Sequence, residues 1–326
     1  MKHVVSISLG SSSRDKAVET ELLGQPIRLE RRGSDGDTEK AARLFKDLDG
    51  KVDAFGLGGA TLCLTVANTK RQLQSVGPLI RFVRDTPIVD GSGLKDTLEG
   101  RLAAVLDEHA EIRPKRRRAL IMSATDRWGM ARSFLDAGYE CVFGDLLFAL
   151  GLPIPLRTER ALARVGRLLI PIVSRLPFSW LYPTGKRQER RQPRHESIFD
   201  WAEVIAGDCH FIKRFMPDKL EKKIIVTNTT TEQDLFLFQQ AGARAVLMST
   251  PPFEGRSYGT NLLEAALVAI SGKKRPLDND EIEAMLRKLA LEPHLHIFAE
   301  GKVLDFARAQ SDASTSPEDS TTRQGA

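Results

Sequence analysis

The sequence predicts an α/β fold in two parts, an N-terminal α/β domain followed by a doubly wound, mostly parallel Rossmann-like sheet. Three observations carry this. Short apolar runs at 119–123, 140–143, 204–206, 223–227 and 245–249 alternate with stretches of helical period, the rhythm of parallel strands joined by helices. Several of these runs close on polar residues, Asp145, Asp208, Thr227-Asn228 and Ser249, and the ends of such strands are where a ligand crevice forms. A chain of 326 residues also exceeds one ordinary core, at roughly 150 residues per domain. We divide it into an N-terminal α/β domain at 1–114, a Rossmann-like domain at 115–272, a helical segment at 273–308 and a disordered tail at 309–326. The tail is serine, threonine and acid with no apolar period.

Taken in order, the alternating run 2–9 predicts a strand that enters the loop Gly10-Ser-Ser-Ser13. Backbone amides and hydroxyls there can hold an anion, so Ser11 and Ser13 are candidates for a substrate carboxylate; a plain turn is the competing reading. Residues 26–30 suit a second strand. Residues 38–48 place Ala41, Ala42, Leu44, Phe45 and Leu48 on one helical face. A third strand at 52–57 ends in Gly58-Gly59.

The run 86–95 brings Asp90, a Gly91-Ser-Gly93 turn and Lys95 to the mouth of a helix that continues through Leu98, Leu102, Val105 and Leu106. Proton transfer at a carbinol needs a lysine donor or acceptor and an acid that fixes it. Lys95 and Asp90 are therefore the catalytic candidates, with capping and a salt bridge as the structural alternative.

At 118–131 the apolar run Ala119 to Met122 stops at Ser123-Ala-Thr-Asp126, and Met130, Phe134 and Leu135 follow at helical spacing. Of a G-x-G-x-x-G turn only the last glycine, Gly129, is present. Asp126 stands where a glycine would admit pyrophosphate, and Arg127 is expected to offset its charge. Roughly 20 residues past the turn, Asp145 is placed to hold ribose hydroxyls. An acid there favours NAD, with NADP as the alternative cofactor. Thr227 and Asn228 complete the expected cofactor rim. Arg256, before the apolar helix at 262–270, could seat a carboxylate or phosphate, or the stretch could simply cap that helix.

Composition narrows the function classes. The net charge is +5, and the basic clusters at 115–118 and 186–194 carry no interleaved aromatic, so they read as solvated loops and nucleic acid is not an expected partner. Cys63, Cys141 and Cys209 lie far apart, which supports neither a disulfide framework nor a zinc site. Asp208-Cys-His210 and His294-Leu-His296 lack a third ligand at useful spacing, so no metal is expected. There is no secretory signal, and the cytoplasm is the expected setting. The segment 161–182 carries Arg164, Arg167 and Arg175 and is broken by Pro171 and Pro177. It should dock on the fold or on a second copy of the chain, which leaves a homo-oligomer open, and no membrane span is expected.

These stretches together resemble a bacterial family labelled quinate 5-dehydrogenase, over nearly the whole chain to Gly272. The resemblance lies in Val4-Val-Ser-Ile-Ser-Leu-Gly-Ser-Ser-Ser13, Val89-Asp-Gly-Ser-Gly-Leu-Lys95, Phe143-Gly-Asp-Leu-Leu-Phe-Ala-Leu-Gly151, Ile205-Ala-Gly-Asp-Cys-His-Phe-Ile-Lys213, Thr227-Asn-Thr-Thr-Thr231 and Gly255-Arg-Ser-Tyr-Gly-Thr-Asn261. It implies an NAD(P)-dependent oxidoreductase that moves hydride between nicotinamide and a secondary alcohol of a small anionic cyclic hydroxy acid. The glycine-poor turn motivates an alternative, a catalytically inactive Rossmann-like protein that binds or senses an anionic metabolite.

Overall fold

The computed structural model describes residues 1–66, 69–175, 191–249, 259–299 and 302–305. Its strands in chain order are β1 (Lys2–Ser8), β2 (Lys16–Leu22), β3 (Gln25–Gly33), β4 (Ala54–Gly58), β5 (Cys63–Val66), β6 (Thr69–Gln72), β7 (Ile88–Val89), β8 (Arg118–Ile121), β9 (Glu140–Phe143), β10 (Val204–Ala206), β11 (Ile224–Thr227), β12 (Ala245–Met248), β13 (His294–Ala299) and β14 (Lys302–Asp305). The fold is α/β with two mostly parallel sheets, as the sequence predicts.

The first sheet has the order β2-β3-β1-β4-β7. β1 is parallel to β3 and β4, with Val4 opposite both Leu29 and Ala54; β7 is parallel to β4, and β2 adds an antiparallel edge. Being central, β1 is covered on both faces. Val4 belongs to one apolar cluster, while Val5 and Ile7 pack in another with Phe45 of the helix Thr38–Leu48. This explains why Val4, Val5 and Ile7 present apolar side chains to both faces of the strand.

The second sheet has the order β14-β13-β12-β11-β10-β8-β9. β8 to β12 are all parallel, and β13 and β14 close the edge in antiparallel fashion. From β8 the chain goes first to β9 on one side and later to β10 on the other. The connecting loops diverge there, and this switch point is where a doubly wound sheet opens a crevice.

The packing differs from the expected segment limits. The helix Thr260–Ser271 buries every residue from Leu262 to Ile270 and packs against β1, β4 and the helix Ser92–Glu99. A helix apolar on all sides must be covered on all sides, and it finds that cover on the first sheet, together with the helix Asn279–Leu289. Gly56 permits the approach, since a Cβ there would lie 2.8 Å from the Asn261 carbonyl oxygen. The first packing unit therefore takes in 260–291, although the sequence division had ended the second domain at 272. The segment 273–308 is likewise not wholly helical, because β13 and β14 lie in it. The tail 309–326, Arg256 and most of the basic cluster at 186–194 fall outside the described residues.

Candidate functional site

The C-terminal ends of both sheets face one another across the turn that follows β8. Five charged side chains, Lys95, Glu99, Asp126, Arg127 and Asp208, meet there. Lys95, on the first turn of the helix Ser92–Glu99, sets its Nζ 3.8 Å from Asp126 Oδ1, and its side chain is only 15% exposed. The Thr61 hydroxyl, from the loop after β4, lies 3.5 Å from the same carboxylate oxygen. The acid beside Lys95 is thus Asp126 and not Asp90. Asp90 is buried, and its two oxygens accept the amides of Leu62 at 2.5 Å and Ser92 at 2.9 Å. It ties the loop after β4 to the first residue of the helix Ser92–Glu99.

Arg127 does not lie open to a phosphate. Its side chain is 3% exposed and pairs with Glu99, which is wholly buried, and with Asp208 through Nη2 at 2.9 Å. Burial works to lower the guanidinium's proton affinity, but the carboxylates of Glu99, Asp208 and Asp126 outweigh it and hold Arg127 above its ordinary value. Burial pushes the Glu99 carboxyl up to about 7, against the opposing pull of Arg127 and Lys95. Asp208 is held below the usual carboxylate range because Arg127, with His210 and Lys95, outweighs the desolvation that would raise it. Asp208 also caps the helix Cys209–Phe215, accepting the His210 amide at 2.9 Å.

Thr227 and Asn228 sit at the end of β11, as expected of rim residues, but their groups are turned inward. Thr227 Oγ1 donates to Asn228 Oδ1 at 3.0 Å, and the same oxygen accepts the Cys209 amide at 3.2 Å. Asn228 Nδ2 donates to Asp208 at 3.1 Å. The pair braces the start of the helix Cys209–Phe215.

Asp145 shows the largest departure from the sequence expectation. It is buried, and its Oδ2 accepts the Ala124 amide at 3.0 Å while Oδ1 accepts the Thr125 amide at 2.9 Å and the Thr125 hydroxyl at 2.8 Å. Desolvation raises its carboxyl, and these hydrogen bonds only partly pull it back. The carboxylate therefore occupies the amides of the β8 turn that would otherwise face a pyrophosphate, and it is not offered to a ribose. Gly129 has a different reason to be glycine, since a Cβ there would stand 2.6 Å from Cα and the carbonyl oxygen of Asp96. It lets the helices Trp128–Asp136 and Ser92–Glu99 touch. A dinucleotide does not fit this turn as the fingerprint would hold it.

Ser11 and Ser13 bond to each other, Oγ to Oγ at 2.8 Å, in an exposed loop after β1. A depression of about 480 Å³ lined by Asp96, Trp128, Gly129, Arg132 and Asn279 lies at the helix contact; of the expected site residues it reaches Gly129 alone. Among the described residues no group of three or more His, Cys, Asp or Glu is placed to hold a metal, and no helix is long and apolar enough to cross a membrane.

Sequence reasoning passed over Glu99. Its only signal was the spacing of four residues from Lys95 within a stripe whose Leu94, Leu98 and Leu102 are apolar.

Fold and site define an α/β protein with two mostly parallel sheets and a Lys95–Asp126 ion pair beside the turn that follows β8. The chain belongs to the family described as Domain of unknown function (DUF8754), which matches residues 93–298, and residues 3–90 match Domain of unknown function (DUF8753). No curated protein matches the sequence. Among solved structures it is similar to the malic enzyme of Entamoeba histolytica, at 14% identity and TM-score 0.36, covering 78% of this chain and 53% of that one, so it spans about half that enzyme's length. It is also similar to a glucose-galactose binding protein from Geobacillus stearothermophilus, at 12% identity and TM-score 0.34, covering 93% and 97%. The malic enzyme of Pyrococcus horikoshii matches at 14% identity and TM-score 0.31, covering 87% and 68%. Likenesses this distant decide nothing about the site.

Proposed function

We propose that the crevice between the two sheets binds a small anionic hydroxy compound and that Lys95, paired with Asp126, exchanges a proton with one of its hydroxyl groups. The observation that carries this is the Lys95 ammonium, largely withdrawn from solvent, 3.8 Å from Asp126 at the mouth of a helix. A lysine so placed holds or gives a proton, and the carboxylate fixes its position and charge. In its finer form, the resemblance to quinate 5-dehydrogenases makes this an NAD(P)-dependent oxidoreductase acting on quinate or shikimate.

The engagement of the Ala124 and Thr125 amides by Asp145 favours a second reading, a protein that binds the metabolite without hydride transfer. Calorimetric titration of the purified chain with quinate, shikimate, NAD and NADP, alongside an absorbance assay of nicotinamide reduction, separates the two. Turnover that Lys95→Met abolishes supports the dehydrogenase. Hydroxy-acid binding that Lys95→Met weakens tenfold or more, with no cofactor reduction, supports the second reading. Ligand binding untouched by Lys95→Met would sink both.

A further inference from the structure

The end of β1 carries a second cluster that the acid–base pair does not use. A Cβ on Gly10 would meet Arg14 Nη2 at 2.6 Å and Arg31 Nη2 at 3.1 Å. Two guanidinium groups thus converge on one point above a glycine backbone. Arg31 is fixed there, because its Nη1 donates to the Ser11 carbonyl at 3.0 Å and to Asp15 Oδ1 at 2.9 Å. Arg14 is exposed and makes no ion pair among the described residues. Nearby carboxylates are already engaged: Asp15 also accepts the Gly33 amide at 2.6 Å, and Asp35 accepts the Ser12 amide at 2.7 Å and Lys40 at 3.2 Å. Burial, and after it the like charge of Arg14, lowers the proton affinity of Arg31. Among the described residues Asp15 pairs with Arg31 alone, which leaves the Arg14 guanidinium beside it to attract an anion, and two arginines from different elements suit a tetrahedral anion, which accepts from several directions.

We propose that Arg14 and Arg31 form a seat for a phosphate monoester above Gly10. The seat stands on the rim of the proposed crevice. A Cβ on Gly59 would lie 3.9 Å from the Gly10 amide, and two residues further the Thr61 hydroxyl reaches Asp126. β1, β4 and β7 are consecutive and parallel in the sheet, so the loop that carries Gly10 and the helix that carries Lys95 leave the same edge of it. Resting on the crevice reading, the proposal makes the ligand a phosphorylated polyhydroxy compound, with phosphate at the two arginines and a hydroxyl at Lys95.

The test titrates the full chain at low ionic strength with inorganic phosphate, glycerol 3-phosphate and, as a control for charge alone, acetate. The expected result is phosphate binding that Arg14→Gln weakens at least fivefold, that Gly10→Ala weakens similarly by displacing both guanidinium groups, and that Lys95→Met leaves unchanged. Glycerol 3-phosphate should bind tighter than inorganic phosphate, and only that increment should depend on Lys95. Phosphate binding no stronger than acetate binding overturns the seat. So does phosphate binding that both Arg14→Gln and Gly10→Ala leave intact. Phosphate binding lost in Lys95→Met but kept in Arg14→Gln overturns the seat while leaving the crevice reading standing.

Discussion

Replacing Glu99 by glutamine should change how the stability of this protein depends on pH. Glu99 is wholly buried on the helix Ser92–Glu99 and faces Arg127 directly; Lys95, Asp126 and Asp96 also act on its carboxyl, and Asp208 pairs with the same guanidinium. Its carboxyl titrates at about 7 in the folded protein against an ordinary 4.5. The folded state therefore holds the proton more tightly than the unfolded chain does. The stability this contributes is fully present below about pH 4.5 and is lost as pH rises through about 7. Two and a half decades of proton affinity, at about 1.36 kcal/mol each, amount to about 3 kcal/mol over that window. Glutamine mimics the protonated acid and cannot lose the proton, so Glu99→Gln should match the wild type within about 1 kcal/mol at pH 4.5 and exceed it by about 3 kcal/mol at pH 8. Urea denaturation of both proteins at half-unit pH steps measures this, and taking their difference cancels the other titrating groups. A difference that stays constant to within about 0.5 kcal/mol from pH 4.5 to 8 would refute the reasoning.

Two other substitutions test the placement of single residues. Asp145→Ala strands the Ala124 and Thr125 amides, and at about 1–3 kcal/mol per unsatisfied buried group it should cost about 2–4 kcal/mol of stability in chemical denaturation; a variant of unchanged stability with weakened NAD binding would restore the ribose role. Gly129→Ala drives a Cβ to within 2.6 Å of the Asp96 backbone, so the two helices must part at a cost of about 1–3 kcal/mol. A melting temperature equal to the wild type would show that the helix contact is looser than described.

Much of the architecture was legible in local pattern. The change from strand to helix period after Met122 marked β8 and the helix Trp128–Asp136, because side-chain periodicity is set within a few residues of the chain. Polar residues at strand ends marked the rim for a similar reason, since parallel strands deliver their C-termini to one edge. β14 escaped notice because a four-residue edge strand has little periodicity of its own, whereas β13 lies between β12 and β14 and its alternation of His294 and His296 with Leu295 and Ile297 reads in the sequence only as a histidine pair without a third metal ligand.

What the sequence determined by itself was the class of fold and the polar residue types at the ends of the parallel strands. Which group each of those residues touches was decided only by the tertiary structure. Asp126 rather than Asp90 stands beside Lys95, Asp145 turns to the amides of the β8 turn, and Arg127 is spent on Glu99 and Asp208. The physical reason is that periodicity is a property of neighbours along the chain, whereas a buried charge takes whichever counter-charge the packing brings within reach. For Arg127 those partners are 28 and 81 residues away, a separation that no local pattern encodes.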